Sequence, residues 1–514
     1  MKLKSLIVIA FALLAISCGP ISERKQPPPS LEHLASMNLK LDGKQLAEAY
    51  CGSCHLKPEP EVLDTKTWVE HVLPDMRKRL GLLLPEDFGK PLPADMDVPR
   101  GVYSEVPLIK IDDWQKILAY YQENAPETPL PQAEKAVPEI GIPGFTVSQP
   151  TFQTIKSNLT TMVRVHAESG TLWVGDRLNR VFILDSKNGF QVRDSILTET
   201  APVDIYWHDD KSVEMLTMEK MDPTNDSVGV LSRFSLQGES WRSEVLLDEL
   251  IRPVSLAVED WNGDGRLDRV VSQFGDHVGK MSLYLTGGTE AKEVVLRAEP
   301  GARRALAVDF DSDGDMDVLG LMTQAREGVY AWINQGGGLF QEKLLLSFNP
   351  VFGSSDFRYE DVNKDGHKDL IVVNGDNADL SIIPKYFHGV RVYLNDGQNQ
   401  FSESWFYPIY GASSLELADF DGDGDLDLFV MSFYPESSQA PKQDLLYFRQ
   451  DTAGGFEPFV MEQNFEESWM TLTAGDIDKD GDVDVFLGAF DFEYLYRAAD
   501  RPWRPIIFLE NTSR

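Results

Sequence analysis

The sequence predicts a multidomain chain in which a small all-α domain is followed by an all-β, seven-bladed β-propeller. Two observations predict this fold class. A C-x-x-C-H pentapeptide, Cys51–His55, lies between two segments whose apolar residues have helical spacing. Five acidic loops recur in the second half of the chain, and runs rich in β-branched residues follow them.

Composition limits the classes of function. The 514 residues include 82 acidic and 48 basic side chains, which gives a net charge of -34, and 42% of the residues are hydrophobic. A globular chain is therefore expected, and the negative charge argues against nucleic acid as a partner. No motif typical of a hydrolase, a kinase or a nicotinamide enzyme is present in the sequence.

The N-terminus has the layout of an export signal. Lys2 and Lys4 precede an apolar run, Leu6–Ile16, that is too short to span a bilayer. The run leads into Ala-Ile-Ser-Cys, which resembles the lipobox of bacterial lipoproteins and ends at Cys18. This resemblance implies that residues 1–18 are a lipoprotein signal peptide and that Cys18 carries lipid; a plain signal peptide cut nearby is the alternative.

Residues 19–38 are predicted to form a tether that holds the folded part away from the membrane, since they are polar and contain three consecutive prolines. Gly19 stands where an aspartate commonly retains lipoproteins at the inner membrane. We therefore expect attachment to the cell outer membrane, on either its periplasmic or its surface face.

Residues 39–126 are predicted to form the helical domain. Asp42 and Gln45 have the spacing of a capping box, so a helix is expected to run into Cys51. Two thiols at this spacing can form thioether bonds to one haem, and His55 then lies beneath the iron. A zinc site would need a second ligand pair, and the sequence has no further cysteine downstream of Cys54.

A second helix is expected near the end of this domain. Asp112 and Gln115 are its predicted cap, and four apolar residues follow at helical spacing. The stripe consists of Trp114, Ile117, Leu118 and Tyr121. Two such helices around a haem resemble the small cytochrome c fold, which implies covalent haem c held by Cys51, Cys54 and His55.

Three side chains are candidates for the sixth iron ligand: Met76, Met96 and His71. The stretch from Trp68 to Met76 reads W-x-x-x-x-L-P-x-M and resembles a stretch in lipoproteins that join a cytochrome to a propeller. That resemblance favours Met76. A thioether opposite histidine raises the reduction potential, whereas an open site would permit ligand binding.

A proline cluster marks the boundary between the two domains, because no regular element is expected to run through it. Residues 127–144 are predicted to be a proline-rich linker, and residues 145–514 the propeller. The cluster comprises Pro126, Pro129, Pro131, Pro138 and Pro143.

The five acidic loops share the pattern D-x-[DN]-x-D-G-x-x-D, which brings oxygens at alternate positions together and selects calcium. They consist of Asp260, Asn262, Asp264 and Asp268; Asp309, Asp311, Asp313 and Asp317; Asp361, Asn363, Asp365 and Asp369; Asp419, Asp421, Asp423 and Asp427; and Asp476, Asp478, Asp480 and Asp484. The twelfth position lacks the glutamate of an EF-hand, so each loop is expected to lie in a β-hairpin.

The spacing of the loops predicts the propeller. Successive loops begin 49, 52, 58 and 57 residues apart, which is long enough for one four-stranded blade. The pattern resembles the FG-GAP or VCBS repeats of integrin-type propellers. Two strand-rich units without the acidic pattern, near 171–185 and 202–218, bring the total to seven. The last unit lacks one strand, and the stretch near 145–155 is expected to supply it.

Three functions fit these parts. The first is a membrane-anchored electron-transfer protein whose propeller docks onto an envelope protein complex and whose calcium ions are structural. The second is an oxidoreductase with a substrate-binding propeller. The third is a surface binding module with an accessory haem.

Overall fold

The computed structural model describes residues 31–37, 40–88, 98–150, 152, 158–219, 221–288, 291–376, 381, 383–451, 454–491 and 504–513. The predicted signal peptide, Cys18 and Met96 lie outside the described residues. Within the described ranges, no helix is long and apolar enough to cross a membrane.

The N-terminal part of the chain is helical. Its helices are α1 (Leu31–Ser36), α2 (Gly43–Tyr50), α3 (Thr65–Thr67), α4 (Leu73–Arg79) and α5 (Ile111–Asn124). Short 3-10 turns cover Cys51–Ser53, Pro60–Val62 and Pro85–Phe88. Helix α1 lies within residues 19–38, which the sequence predicts to be a tether. Its first residue, Leu31, packs against the apolar core of the helical region.

Helix α2 begins as the sequence predicts. The Gln45 amide donates to Asp42 Oδ1 at 2.9 Å, and the Asp42 amide donates to Gln45 Oε1 at 3.2 Å, so the capping box is confirmed. Helix α5 begins differently. Its N-cap is Lys110 with no side-chain cap, so the predicted cap at Asp112 is wrong. Asp112 instead lies in the first turn, where a negative charge complements the helix dipole.

Helices α3 and α4 are joined by a π-helical turn, Trp68–Val72, into one continuous helical segment. The cause lies at Pro74, which has no amide hydrogen to donate. The Leu73 amide donates to the carbonyl of Trp68, five residues earlier, as a π-turn requires. The W-x-x-x-x-L-P-x-M stretch is therefore a helix with a local widening.

The described residues after the helical region form seven sheets, antiparallel except for β1, which confirms the predicted seven-bladed β-propeller. In chain order, β1 is Glu139–Ile140 and β2 is Phe145–Ser148. Blade 1 is β3–β6: Thr160–His166, Thr171–Asp176, Arg180–Asp185 and Gln191–Leu197. Blade 2 is β7–β10: Ala201–Asp209, Ser212–Met218, Ser227–Gln237 and Ser240–Ile251. Blade 3 is β11–β14: Pro253–Glu259, Asp268–Gln273, Lys280–Leu285 and Lys292–Arg297.

Blades 4 to 7 carry the other acidic loops. Blade 4 is β15–β18: Ala302–Val308, Asp317–Met322, Gly328–Asn334 and Phe340–Ser347. Blade 5 is β19–β22: Ser354–Glu360, Asp369–Asn374, Gly389–Asn395 and Phe401–Pro408. Blade 6 is β23–β26: Ala412–Ala418, Asp427–Ser432, Leu445–Gln450 and Phe456–Val460. Blade 7 contains β27–β29: Trp469–Gly475, Asp484–Ala489 and Ile506–Asn511.

The ring closes through a strand from the other end of the chain. Strand β2 pairs with β29, with Phe145 opposite Asn511 and Ser148 opposite Phe508. Blade 7 thus obtains its fourth strand as predicted. Strand β1 was not expected inside the linker, and it pairs in parallel with β26 as a fifth strand of blade 6. A two-residue edge strand can lie between prolines because it needs few backbone donors.

Strand order assigns the loops to two faces of the propeller. Because successive strands run in opposite directions, the loops between the first and second strands of a blade lie on one face, and those between the second and third lie on the other. All five acidic loops are of the first kind. The helical region contacts loops of the second kind, and its core cluster includes Phe387 of blade 5. The helices and the acidic loops therefore occupy opposite faces.

Candidate functional site

The two cysteines of the C-x-x-C-H motif lie in the turn that follows α2. Cys51 packs against the apolar core of the helical region, whereas Cys54 is exposed, and neither forms a disulfide. Burial raises the pKa of the Cys51 thiol to about 11, so this thiol is protonated at neutral pH. Both sulfur atoms are thus free of disulfide bonds, and the buried Cys51 is the less reactive as a thiolate.

His55 has the tautomer expected of a metal-binding imidazole. Its Nδ1 lies 2.8 Å from the carbonyl oxygen of Leu56, and because a carbonyl only accepts, Nδ1 carries the hydrogen. Burial lowers the pKa of His55, so the ring is neutral and the lone pair is on Nε2. A hydrogen bond from the ring nitrogen that does not bind the metal usually orients a metal-binding histidine.

Two aromatic side chains of the core hold the loop after the motif in place through hydrogen bonds. The Trp68 indole donates to the carbonyl of Pro60 at 2.8 Å, and the Tyr121 hydroxyl donates to the carbonyl of Pro58 at 2.7 Å. The two rings lie 4.5 Å apart. The core around them is apolar and includes Leu46, Ala47, Tyr50, Leu63, Val72, Leu73, Trp114 and Ile117.

The candidates for the sixth ligand lie in different environments. Met76 is partly buried and packs against the same core as Cys51. His71 is exposed at the surface of the π-turn, and Met96 lies outside the described residues. Of the two described candidates, only Met76 is beside the apolar cluster. Two unbridged thiols, a neutral imidazole and a thioether are the types of side chain that hold a c-type haem.

The motif lies against the propeller. Arg326 of blade 4 donates from Nε to the carbonyl oxygen of Cys54 at 3.1 Å. Arg79 of α4 lies 3.3 Å from Nδ1 of His277 in blade 3. The charge of Arg79 also contributes to the low pKa of His55, after burial. Arg326 thus joins the motif to blade 4, and Arg79 joins helix α4 to blade 3.

The acidic loops connect the first and second strands of blades 3 to 7, in the predicted hairpins. In the loop of blade 3, Asp260 Oδ2 accepts from the Gly265 amide at 2.7 Å, and Asn262 Oδ1 accepts from the Asp264 amide at 2.9 Å. The glycine at the sixth position has a positive φ in every loop, which a side chain would make costly. These residues are Gly265, Gly314, Gly366, Gly424 and Gly481.

Three of the loops bring carboxylate oxygens close enough to share one ion. In each group the oxygens lie within 4.8 Å of one another. The groups are Asp309, Asp311 and Asp317; Asp419, Asp421 and Asp423; and Asp476, Asp478 and Asp480. The loops of blades 3 and 5 have an asparagine, Asn262 or Asn363, at the third position, which offers an amide oxygen instead.

The last aspartate of each loop also accepts hydrogen bonds from backbone amides, a role that the pattern alone does not indicate. In blade 4, Asp317 is fully buried; its Oδ2 accepts from the Phe310 amide at 2.8 Å and its Oδ1 from the Asn334 amide at 2.7 Å. These bonds tie the loop to the third strand. Burial, with neighbouring acidic groups, raises the pKa of Asp427 to about 6 and of Asp484 to about 7. A cation beside these groups relieves that cost.

The first strands of the seven blades line a central cavity of about 470 Å³. Asp356 lies at its wall and pairs with Arg304 and Arg358, each at 2.9 Å. Burial opposes ionisation of Asp356, but the two guanidinium groups outweigh it and hold its pKa at about 2. This network joins blades 4 and 5 and was not foreseen from the sequence, although arginines recur in the first strands of both blades.

Comparison with known proteins supports the propeller. Residues 260–320, 309–372 and 361–430 match the family described as FG-GAP-like repeat. The chain therefore carries FG-GAP-like repeats within a seven-bladed β-propeller. Among solved structures, one titled "Crystal Structure of the N-terminal Domain of Nup159" aligns with 74% of this chain and 99% of that chain, at 10% identity and a TM-score of 0.42. No curated protein matches the chain.

Proposed function

We propose that this protein is a c-type cytochrome lipoprotein of the cell outer membrane that transfers electrons and docks to an envelope protein complex through a calcium-stabilised propeller. One observation carries the proposal. The C-x-x-C-H motif presents two unbridged thiols and a neutral His55 whose Nδ1 donates to the Leu56 carbonyl, which leaves Nε2 for iron. This arrangement lies beside an apolar cluster.

Each residue has a defined part in the proposal. Cys51 and Cys54 would hold the haem through thioether bonds, His55 would be an iron ligand, and Met76 is the favoured second iron ligand. The haem, when bound, supplies one-electron chemistry. Trp68 and Tyr121 keep the loop after the motif against the core.

Calcium is proposed to be structural. Clustered carboxylates repel one another unless a divalent ion neutralises them, and hard oxygen ligands suit Ca²⁺. The loops lie on the face of the propeller opposite the helical region and the motif. Bound calcium ions would therefore be distant from the haem. Binding in such loops stabilises the folded state by mass action.

The membrane and partner assignments rest on the sequence. Lipid at Cys18 would anchor the chain, and the tether of residues 19–38 would hold the folded part away from the membrane. A partner complex is proposed because an electron carrier needs a donor and an acceptor. A pull-down from solubilised membranes tests this part, with detergent-stable capture of an envelope complex as the expected result.

The haem proposal is tested by the reduced-minus-oxidised absorption spectrum of the purified full chain. We expect a low-spin c-type spectrum that is lost in the variant Cys51→Ser/Cys54→Ser. Met76→Leu should change the spectrum or lower the reduction potential, whereas the control Met37→Leu, at a residue 38% exposed, should change neither. Absence of a Soret band from correctly processed protein contradicts the proposal.

A further inference from the structure

The central cavity of the propeller extends to the face that carries the helical region. The first strand of every blade begins on that face, because it ends at the loop to the second strand on the opposite face. The cavity has a volume of about 470 Å³, and all the residues that line it are described. Sites for drug-sized molecules have volumes of roughly 300–1,000 Å³, so a small organic molecule fits this cavity.

A β-bulge lies near the start of the first strand in every blade. At each bulge the register with the second strand shifts, and one residue of the first strand has no residue opposite it. Such bulges redirect side chains and are over-represented next to active sites. All seven bulged residues line the cavity, and we call them the bulge ring: Thr161, Val203, Val254, Arg303, Ser355, Ser413 and Met470. Because the bulge recurs in every blade, the residue types in the ring decide what it can bind.

Arg303 is the only charged member of the bulge ring. Its Nε donates to the carbonyl oxygen of Ser355 in blade 5 at 3.0 Å, which restrains the orientation of the guanidinium group. Among the described residues, no hydrogen-bond or ion-pair partner is found for its Nη1 and Nη2. The end of the guanidinium group therefore offers two parallel N–H donors, which is the arrangement that a carboxylate accepts.

The other charged side chains that line the cavity are paired. The pairs are Arg164 with Asp204 at 3.0 Å, Arg304 and Arg358 with Asp356 at 2.9 Å, and Arg358 with Glu416 at 3.1 Å. Three carboxylates thus face four guanidinium groups, and the unpaired guanidinium belongs to Arg303. Although the whole chain has a net charge of -34, these groups together carry one excess positive charge. That excess suits a ligand with a single negative charge.

Apolar side chains lie beside Arg303 on one side of the ring. Blade 2 contributes Val203 and Met218, and blade 3 contributes Val254. Met470 of blade 7 lines the cavity as well. Because methionine is unbranched and flexible, such surfaces adapt to apolar groups of different shapes. The cavity thus combines one anion-binding group with an apolar wall.

We propose that the central cavity binds a small organic monocarboxylate. The carboxylate accepts from Nη1 and Nη2 of Arg303, and the apolar part of the ligand lies against Val203, Val254 and Met218. A bidentate, charge-assisted pair of this kind is stronger than neutral hydrogen bonds. A second carboxylate on the ligand would face the acidic groups of the cavity without a free cation to pair with. The inference goes beyond the proposed electron transfer and does not depend on haem.

Isothermal titration of the purified full chain tests the inference, with sodium hexanoate and sodium benzoate as probes. Hexanamide and benzamide are the matched neutral controls, sodium adipate is the dicarboxylate control, and sodium chloride controls for ionic strength. Arg303→Met removes the guanidinium group, and Arg303→Lys keeps the charge without the paired donors. Arg242→Met is the matched control variant, at an exposed arginine in the outer strand of blade 2.

We expect at least one monocarboxylate to bind, and its amide to bind about tenfold more weakly or less. Adipate should bind more weakly than hexanoate. Arg303→Met should lose about tenfold or more in affinity for the monocarboxylate, whereas Arg242→Met should bind like the unmodified chain. Should Arg303→Met fail to fold, Arg303→Lys takes its place, with an expected loss of about threefold or more.

Several results would overturn the inference. One is the absence of heat with either monocarboxylate at a concentration on the order of 10 mM. Equal binding of acid and amide, or tighter binding of adipate than of hexanoate, would show that the cavity does not recognise a single carboxylate. Unchanged affinity in the folded Arg303 variant would show that the ligand binds elsewhere.

Discussion

Backbone conformation singles out the fourth position of each acidic loop. All five residues there have a positive φ, between 59° and 79°, yet only Gly263 and Gly422 are glycines. The others are Ser312, Lys364 and Lys479. A side chain in the left-handed region costs roughly 1–2 kcal/mol. Lys364 pairs with Asp425, and Lys479 donates to the Glu168 carbonyl, so contacts offset the conformational cost at these two lysines. Among the described residues, no such contact is found for the Ser312 side chain.

Ser312→Gly is therefore expected to stabilise the protein by about 0.5–1 kcal/mol. Chemical denaturation at fixed calcium measures the change. Ser402→Gly is the control, because Ser402 lies exposed within a strand, where glycine is expected to destabilise by a similar amount. If both variants shift stability in the same direction, the left-handed conformation is not the cause.

Glu327 predicts a dependence of stability on pH. This residue is 1% exposed, and burial raises its pKa to about 8 from 4.5. Between these values the folded chain keeps a proton that the unfolded chain has lost, so the contribution of Glu327 to stability falls as the pH rises from 4.5 to about 8.

Glu327→Gln should accordingly be more stable than the unmodified chain at pH 9, by about 1–3 kcal/mol, with a smaller difference at pH 5. Denaturation curves at the two pH values provide the measurement, and Glu239→Gln at an exposed turn is the control. A pH-independent difference for Glu327→Gln would show that Glu327 does not titrate in this range.

Among the elements, strand β2 has the largest effect on the architecture because it joins the start of the propeller to its end. Its first residue, Phe145, also packs against blade 6, with ring centroids 5.3 Å from Phe429 and 5.9 Å from Tyr447. The strand thus connects blade 7, to which it belongs, with blade 6.

Phe145→Ala should destabilise the protein by about 2–4 kcal/mol, since it removes a half-buried aromatic ring from this junction. Val137→Ala is the control, as Val137 is 78% exposed in the preceding segment. Thermal unfolding of both variants decides the question, and a Phe145→Ala protein as stable as Val137→Ala would mean that closure does not depend on this contact.

The elements that depend on short-range patterns were predictable. The acidic loops, their hairpins and the two blades without acidic loops follow from repeats and alternation within each unit, and the closing strand follows from the strand that the last unit lacks. Strand β1 does not, because its pairing with Phe459–Val460 depends on residues far along the chain. The same holds for the side chains: the sequence indicates Cys51, Cys54 and His55, but Asp356 pairs with Arg304 only because blades 4 and 5 meet there.

At the scale of the whole molecule, the net charge of -34 makes cations important for stability. Five loops each concentrate carboxylates on one face of the propeller, and burial with like charges raises the pKa of several of them. Without a cation, repulsion between these carboxylates therefore lowers the stability of the folded state at neutral pH. The loss of stability grows as more of these groups ionise.

Calcium should raise the midpoint of thermal unfolding, and chelation should lower it. One site filled to ten times its dissociation constant contributes about 1.4 kcal/mol. Asp309→Asn should reduce the calcium response by about one site, whereas Asp248→Asn, at an exposed strand residue, should leave it unchanged. An equal midpoint with calcium and with chelator would contradict a structural role for the ion.

We propose that haem is bound covalently in the helical region, on the face of the propeller opposite the acidic loops. Mass spectrometry of the proteolytic peptide that contains Cys51–His55, from mature protein, measures this bond. We expect a peptide heavier by one haem, with neither cysteine open to alkylation. A peptide of unmodified mass in which both thiols react with iodoacetamide would contradict it.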